Sequence, residues 1–320
     1  MKQLTRSLLL LFCLTGAAAL QARCELKPEP RALVAPAKGE LLLVTQNLWR
    51  LVDDRPDTSA DQPVDTLYMQ QRLDAVARYM GDVLQWPHLL AVQEVEHVAL
   101  LEDLLRRVRE QGGPGYRIAM VEGLDPSGID VALLYRSPVK VSDISSPFHG
   151  LRYKRSPLYS RPPLVVSLSK PIKATLVIVH LRSGRDLEDE RKGKNIQEKR
   201  RRQAQTLRTW MLAQTGEVIV AGDFNSSFGD EIYQQPIELL EQPPFISVWQ
   251  QLPEQERFSY IYQCRPQAID NILLGPATLQ RVLRAQVSRG NAGYQYRLYK
   301  RQPPYLVSDH DALGVYFDTK

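Results

Sequence analysis

The sequence predicts a mixed-sheet α/β domain, and three observations predict it. Apolar runs of strand length recur from residue 41 to the C-terminus, separated by segments whose apolar residues repeat at helical spacing. In the middle of the chain strand follows strand with no helix between, which argues against a doubly wound parallel fold. No internal repeat and no linker long enough to split the chain interrupts this order. One domain of this size needs two packed sheets, or one large sheet covered on both faces.

The elements follow in order. Leu41–Leu48 is a strand, and Leu73, Val76, Ala77, Met80 and Leu84 then fall on one helical face. Leu89–Gln93 is a second strand, followed by a helix carrying Val98, Leu101, Leu104, Leu105 and Val108. Strands are expected at Tyr116–Val121, Asp130–Tyr135, Leu164–Leu168 and Thr175–His180. Ala204, Leu207 and Met211 mark a third helix. Val218–Val220 has no polar content and is expected to be a central strand, and Ala268–Leu274 and Ala312–Phe317 close the chain as strands.

The N-terminus reads differently. Lys2 and Arg6 precede an apolar run from Leu8 to Leu14, and Ala17, Ala18, Ala19 and Ala22 offer small residues for cleavage. Residues 1–22 therefore read as a secretory signal peptide, 23–40 as a leader and 41–320 as the folded domain. Neither Cys13, after Phe12, nor Cys24, after Arg23, has the small residue before it that a bacterial lipoprotein requires. Cleavage removes Lys2 and Arg6, taking 41 basic residues to 39 against 36 acidic ones, so the charge of +5 falls to +3. Net charge is then weak evidence for an anionic partner. It also removes Cys13, leaving Cys24 and Cys264 to pair or stay reduced in an oxidising compartment. No later segment is long and apolar enough for a membrane span. The chain is expected to be secreted or periplasmic, and monomeric.

The chemistry sits at strand ends. Strand-like runs end in Asn47, Glu94, His180, Asp223 and Asn225; Asp270 opens another, and Ser308, Asp309 and His310 precede the last. Any one of these alone is more often a turn former or a capped polar group, but together they place polar groups where rigid scaffolds display function. Glu94, Asp309 and Asn47 are hard oxygen donors suited to Mg²⁺, Mn²⁺ or Ca²⁺. With no CxxC or HExxH, a common zinc site is not supported. His180 and His310 offer acid–base or phosphate-binding groups, and Asp270 could orient one of them. This is an inventory for metal-assisted attack of water on a phosphate ester.

The runs TQNLW, VQEVE, GIDVALLYR, SRPPLVV, VIVHLRS, VAGDFNS, QAIDNIL and VSDHDALGV occur in that order over residues 41–318. On these motifs the chain resembles the endonuclease/exonuclease/phosphatase superfamily, of the deoxyribonuclease I-like kind. FSYIYQ followed by QAIDNIL looks most like secreted bacterial endonucleases of that group. The resemblance implies a four-layer α/β sandwich, two face-to-face mixed sheets flanked by helices, with the site along one edge. It also implies roles: Glu94 the principal ligand of a divalent metal, Mg²⁺ foremost, with Asn47 and Asp309 near the same ion. Asp223 matches the group that positions or deprotonates water, and Asn225 a ligand of the scissile phosphate. His310 matches a phosphate-binding histidine with Asp270 as its carboxylate partner, His180 a second active-site histidine, and Arg161 a basic residue near the phosphate. Repair-type members carry Tyr where this chain has Pro126, and usually lack a histidine at the position of His180. Asp130 lies where the deoxyribonuclease type keeps an acid beside its histidine, so it either partners His180 or simply starts a strand.

The implied activity is endonucleolytic hydrolysis of DNA with little sequence preference, RNA being a possible second substrate. Basic residues crowd 182–203 and 271–308, where they either track a phosphate backbone or form solvated faces. Two rivals remain: a sphingomyelinase-like phospholipid phosphodiesterase, and a toxin or binding subunit that kept the fold. Tyr294, Tyr296, Tyr299 and Tyr305 with Arg297, Lys300 and Arg301 would serve either a membrane or a nucleic acid.

Overall fold

The computed structural model describes residues 28–56, 60, 62–229, 233–293 and 307–320. The expected signal peptide, Cys13, Cys24 and the tyrosine-rich segment from Tyr294 to Tyr305 lie outside them. The chain runs β1 (Glu40–Leu51), α1 (Thr66–Asp82), β2 (Leu89–Val95), α2 (Val98–Glu110), β3 (Arg117–Met120) and β4 (Asp130–Tyr135). It continues as β5 (Lys140–Ser145), the short pair β6 (Arg152–Tyr153) and β7 (Ser156–Pro157), β8 (Leu164–Lys170) and β9 (Ala174–His180). Next come α3 (Gly193–Leu212), β10 (Val218–Asp223), α4 (Gln235–Leu240), β11 (Ile246–Ser247) and the hairpin β12 (Tyr260–Tyr262) and β13 (Arg265–Gln267). β14 (Asp270–Leu274), α5 (Pro276–Gln280), β15 (Val282–Val287) and β16 (Leu313–Asp318) complete it.

Two six-stranded sheets form, ordered β15-β16-β1-β2-β4-β3 and β11-β14-β10-β9-β8-β5. Each holds one parallel pair, β1 with β2 and β9 with β10, and every other pairing is antiparallel. Parallel neighbours need a crossover, and α1 and α3 supply them. Strand alternation then sorts the side chains. Leu41, Leu43, Leu89, Ala91, Leu176, Ile178, Ile219, Ala221 and Ile272 form the core between the sheets. Leu42, Val44, Leu90 and Val92 face the other way, against Leu73, Met80, Leu101 and Leu104 of α1 and α2. Val177, Val179, Val218 and Val220 face Ala204, Leu207 and Met211 of α3 and Ile237 and Leu240 of α4. The result is the expected four-layer sandwich, with β10 central.

Differences from expectation fall at the edges. β5 and β15 are unforeseen; β5 is an edge strand, largely exposed, with two register shifts against β8, so it carries no apolar alternation to read. The leader joins the fold before residue 41: Arg31 forms a bridge with Arg289, and Leu33 is buried. Cys264 is exposed in the turn of the β12–β13 hairpin.

Gly222 fixes how closely the two central strands of the second sheet approach at the site end. Its φ is +149°, and a Cβ there would lie 2.0 Å from the Val179 carbonyl oxygen. Gly222→Ala is expected to destabilise the protein by roughly 1–3 kcal/mol through overpacking against backbone. An unchanged urea-unfolding midpoint would contradict this.

Candidate active site

The inward-facing stripe of both sheets turns from apolar to polar at one end. Leu41 and Leu43 are followed at the same parity by Thr45 and Asn47; Leu89 and Ala91 by Gln93; Leu176 and Ile178 by His180; Ile219 and Ala221 by Asp223. In the second sheet the register aligns Asp223 with both His180 and Asp270, so three strand ends place their polar residues in one row. His180, Asp223, Asp270 and His310 are all buried.

Glu94 reaches the site by a different device. Gln93 pairs with Val131 and Val95 with Asp130, so Glu94 is the extra residue of a bulge, with φ of +60°. A bulge re-aims a side chain out of the strand's alternation. β1 is irregular opposite it, between Asn47 and Leu51, where Trp49 and Arg50 also have positive φ. The two distortions interlock. The Arg50 amide donates to Glu94 Oε2 at 2.9 Å, and the Trp49 amide to Asn47 Oδ1 at 2.8 Å.

Asn47 then joins the sheets: its Nδ2 donates to Glu94 Oε1 and to Asp223 Oδ2, both at 3.1 Å. His180 Nε2 lies 3.5 Å from Asp223 Oδ2 and 3.8 Å from Glu94 Oε1. The Asn225 amide donates to Asp223 Oδ1 at 2.7 Å, and Asn225 Nδ2 donates to the Leu181 carbonyl at 3.1 Å. His310 Nδ1 meets Asp270 Oδ2 at 2.7 Å, leaving Nε2 toward Asp309, whose Oδ1 is 3.7 Å away. Tyr260 packs its ring on His310 with centroids 4.8 Å apart. Asp311, the other acid beside His310, is turned away and paired with Arg289 at 3.1 Å.

Charge in this cluster is unbalanced. Burial and then the neighbouring Asp270 carboxylate push Asp223 up to about 7. Burial, with the Glu94 charge adding, pushes Asp309 up to about 6. Burial opposes the charge on His310, but Asp270 and Asp309 outweigh it and hold its pKa well above the usual histidine value. His180 is held well below that value by burial, Arg161 and His310. Asp309 Oδ1 and Asp270 Oδ1 are buried with no hydrogen-bond partner. Crowded acidic oxygens with unused acceptor capacity fit a divalent cation. Glu94 and Asp309 could hold it directly, and Asn47 only after its amide turns over, since its oxygen now accepts from Trp49. Asp223, Asp270 and His310 also bring one ligand atom each within 4.8 Å, but the short Asp270 contact leaves His310 Nδ1 carrying a proton.

Of the two alternatives for Asp130, the structure has the strand start. Asp130 and His180 do not pair: Asp130 Oδ2 accepts from the Gly123 amide at 2.7 Å, and His180 Nδ1 has no hydrogen-bond partner. Asp130 starts β4, where the β2 bulge shifts the register and burial pushes its pKa up to about 7. Arg161 is at the site, donating to the Leu181 carbonyl at 3.4 Å with Asp125 3.6 Å away.

Sequence reasoning missed Arg72. Its guanidinium donates to the carbonyls of Leu48, Trp49, Arg50 and Val307 at 2.7–3.2 Å, clamping the β1 distortion to the loop that carries Asp309. The only sequence signal is an arginine beside Leu73 on an otherwise apolar helix face. Asp53, Glu96 and His97 form a second acidic cluster. There His97 Nδ1 caps α2 by accepting from the Leu100 amide at 3.1 Å, so Nε2 carries the proton toward Asp53.

A family model described as the Endonuclease/Exonuclease/phosphatase family matches residues 44–310, a span that holds every strand-end residue above. No curated protein matches. Among solved structures, a humanized TDP2 from D. rerio is 19% identical, with TM-score 0.58, over 87% of this chain and 99% of that one. An AP endonuclease from Archaeoglobus fulgidus is 14% identical, with TM-score 0.58, over 87% and 99%. A 3′ phosphatase, NExo from Neisseria, bound to a product DNA hairpin, is 17% identical, with TM-score 0.57, over 87% and 99%. At these identities the likeness is one of fold.

Proposed function

The chain belongs to the endonuclease/exonuclease/phosphatase family, and we propose that it is a divalent-cation-dependent phosphodiesterase that hydrolyses DNA. The observation that carries the reading is the Asn47 bridge. One amide joins the Glu94 side of the cleft, from the first sheet, to Asp223 of the second. Carboxylates for a cation and groups for acid–base work thereby face one small volume.

A bound Mg²⁺, or Mn²⁺ or Ca²⁺, would supply Lewis-acid stabilisation of the phosphate oxygens. Glu94 and Asp309 would hold it, with Asn47 beside them. Asp223 orients the attacking water and takes its proton, a role suited to a carboxylate whose pKa burial has raised. His310, cationic and fixed at Nδ1 by Asp270, donates from Nε2 to a phosphate oxygen. Asn225 and Arg161, which already share the Leu181 carbonyl, bind the same phosphate from the other side. His180, kept neutral, packs between Asp223 and Glu94 and limits how far either can turn.

The basic stretches support DNA less broadly than their sequence suggests. In 271–293, Arg281 binds the C-terminal backbone, Arg284 pairs with Glu40, and Arg289 with Asp311 and Glu256. The secreted or periplasmic location suggested by residues 1–22, action as a monomer, and tolerance of RNA are further parts of the proposal. Among the described residues no helix is long and apolar enough to cross a membrane. The test is a substrate panel in Mg²⁺: duplex DNA, single-stranded RNA and sphingomyelin vesicles at equal phosphate. DNA fragments are expected; choline phosphate release without DNA cleavage would overturn the reading.

A further inference from the structure

The fold sorts the basic run 182–203 into spent and unspent charges. Arg200 is buried and donates to the carbonyls of Arg182, Asn225 and Tyr233. Arg201 and Arg202 pair with Glu198, and Lys192 with Asp186. Among the described residues, Arg182 and Lys199 have no acidic partner within ion-pair distance, although both are half-buried. Among the described residues the Lys199 ammonium makes no hydrogen bond, and the Arg182 guanidinium gives only Nη1 to Ser183 Oγ at 2.9 Å.

Their position is fixed by backbone contacts. Asn225 Nδ2 and Arg161 Nη2 meet on the Leu181 carbonyl, which places Arg161 beside the residue assigned to the scissile phosphate. The next residue, Arg182, has both peptide groups held by α3. Its amide donates to Gln203 Oε1 at 2.9 Å, and its carbonyl accepts from Arg200 Nη1 at 2.5 Å. Lys199 adjoins Arg200 on that helix, one turn before Gln203, so it enters the same region. A half-buried cation held in place without an anion costs free energy unless a ligand supplies one.

We propose that Arg182 and Lys199, continuing from Arg161, form a subsite for the backbone phosphate next to the scissile one on a DNA strand. The assignment rests on the phosphodiesterase reading above and extends it from one phosphate to two. The mutual repulsion of the group supports it. Burial lowers the pKa of Lys199, and Arg182 and Arg161 lower it further; burial and then Arg161 do the same to Arg182. A phosphate placed among them relieves that repulsion. Asp125, 3.6 Å from Arg161, opposes part of this repulsion, as Asp186 does for Arg182, but one carboxylate against Arg161, Arg182 and Lys199 leaves the group cationic.

The test uses a short oligonucleotide with one cleavable linkage, in which the neighbouring phosphate on either side is replaced by a neutral methylphosphonate. For the wild type, one of the two replacements is expected to lower kcat/KM about tenfold, the worth of a charge-assisted hydrogen bond. In Lys199→Ala and Arg182→Ala that penalty should shrink to about threefold or less, while Lys199→Arg should retain it. General damage to the fold lowers cleavage of both oligonucleotides alike and leaves their ratio unchanged. A full penalty persisting in both alanine variants would therefore overturn the subsite. Bis(p-nitrophenyl) phosphate separates the two levels. Turnover of it by the wild type with no cleavage of any oligonucleotide would overturn the DNA reading, and the subsite with it.

Discussion

Replacing His310 is expected to lower DNA phosphodiester turnover by about 10³-fold or more, within the range spanned by loss of a general acid and of a preorganised oxyanion donor. The geometry explains the size. Asp270 is fully buried, anchors His310 Nδ1 at 2.7 Å and is itself held by donation of its amide to Ser259 Oγ. The ring is pinned from another side by Tyr260, and its backbone amide donates to Ser308 Oγ. Nε2 is thus aimed before substrate arrives, and preorganised donors act without reorganising during the reaction. His310→Ala also leaves Asp270 buried and unpaired, which costs about 3–5 kcal/mol when a buried pair is broken. His310→Asn offers an amide in place of the ring and separates the two effects. Both variants are expected to lose activity, whereas alanine alone should lose substantial stability. Near-native turnover by the asparagine variant would remove His310 from the mechanism.

Glu94→Gln is expected to raise the Mg²⁺ concentration for half-maximal activity by about 10²-fold, since ligand charge sets the affinity of such sites. The substitution keeps the shape of the side chain and can keep one acceptor for the Arg50 amide, so the bulge should survive. What it removes is one of the negative charges acting on Asp309, whose raised pKa owes part of its shift to Glu94. Calorimetric titration with Mg²⁺ should show the same weakening with no substrate present. Equal Mg²⁺ affinities for wild type and variant would show that Glu94 does not hold the cation.

Much of this was legible in the sequence because strand alternation carries through to the last residue of a strand. Asn47, His180, Asp223 and Asp270 continue the parity of core residues, so apolar periodicity both found the strands and fixed the side on which their polar ends emerge. What alternation cannot show is pairing with a distant neighbour. The Glu94 bulge depends on two residues of β2 facing one of β4, a register no local pattern records. Asp309 and Asp311 flank His310 alike in sequence, yet Arg289 takes one and leaves the other in the cleft. Position leaves Asp130 as either the partner of His180 or the start of a strand, and only the fold shows that the Gly123 backbone takes its carboxylate. Basic runs were equally opaque, since a count of cations does not reveal which ones Glu40, Glu198 and Asp311 neutralise. Arg72 illustrates the same limit, because its four carbonyl partners come from the irregular end of β1 and from Val307, far apart in sequence.

The most direct test of the central claim is nicking of supercoiled plasmid by the wild-type protein in Mg²⁺, after addition of a chelator, and after Mg²⁺ is restored in excess. Nicking that stops with chelator and returns with Mg²⁺ is the predicted result. Nicking that continues undiminished in chelator, or none in Mg²⁺, Mn²⁺ or Ca²⁺, would contradict the assignment of this cleft as a cation-dependent DNA phosphodiesterase.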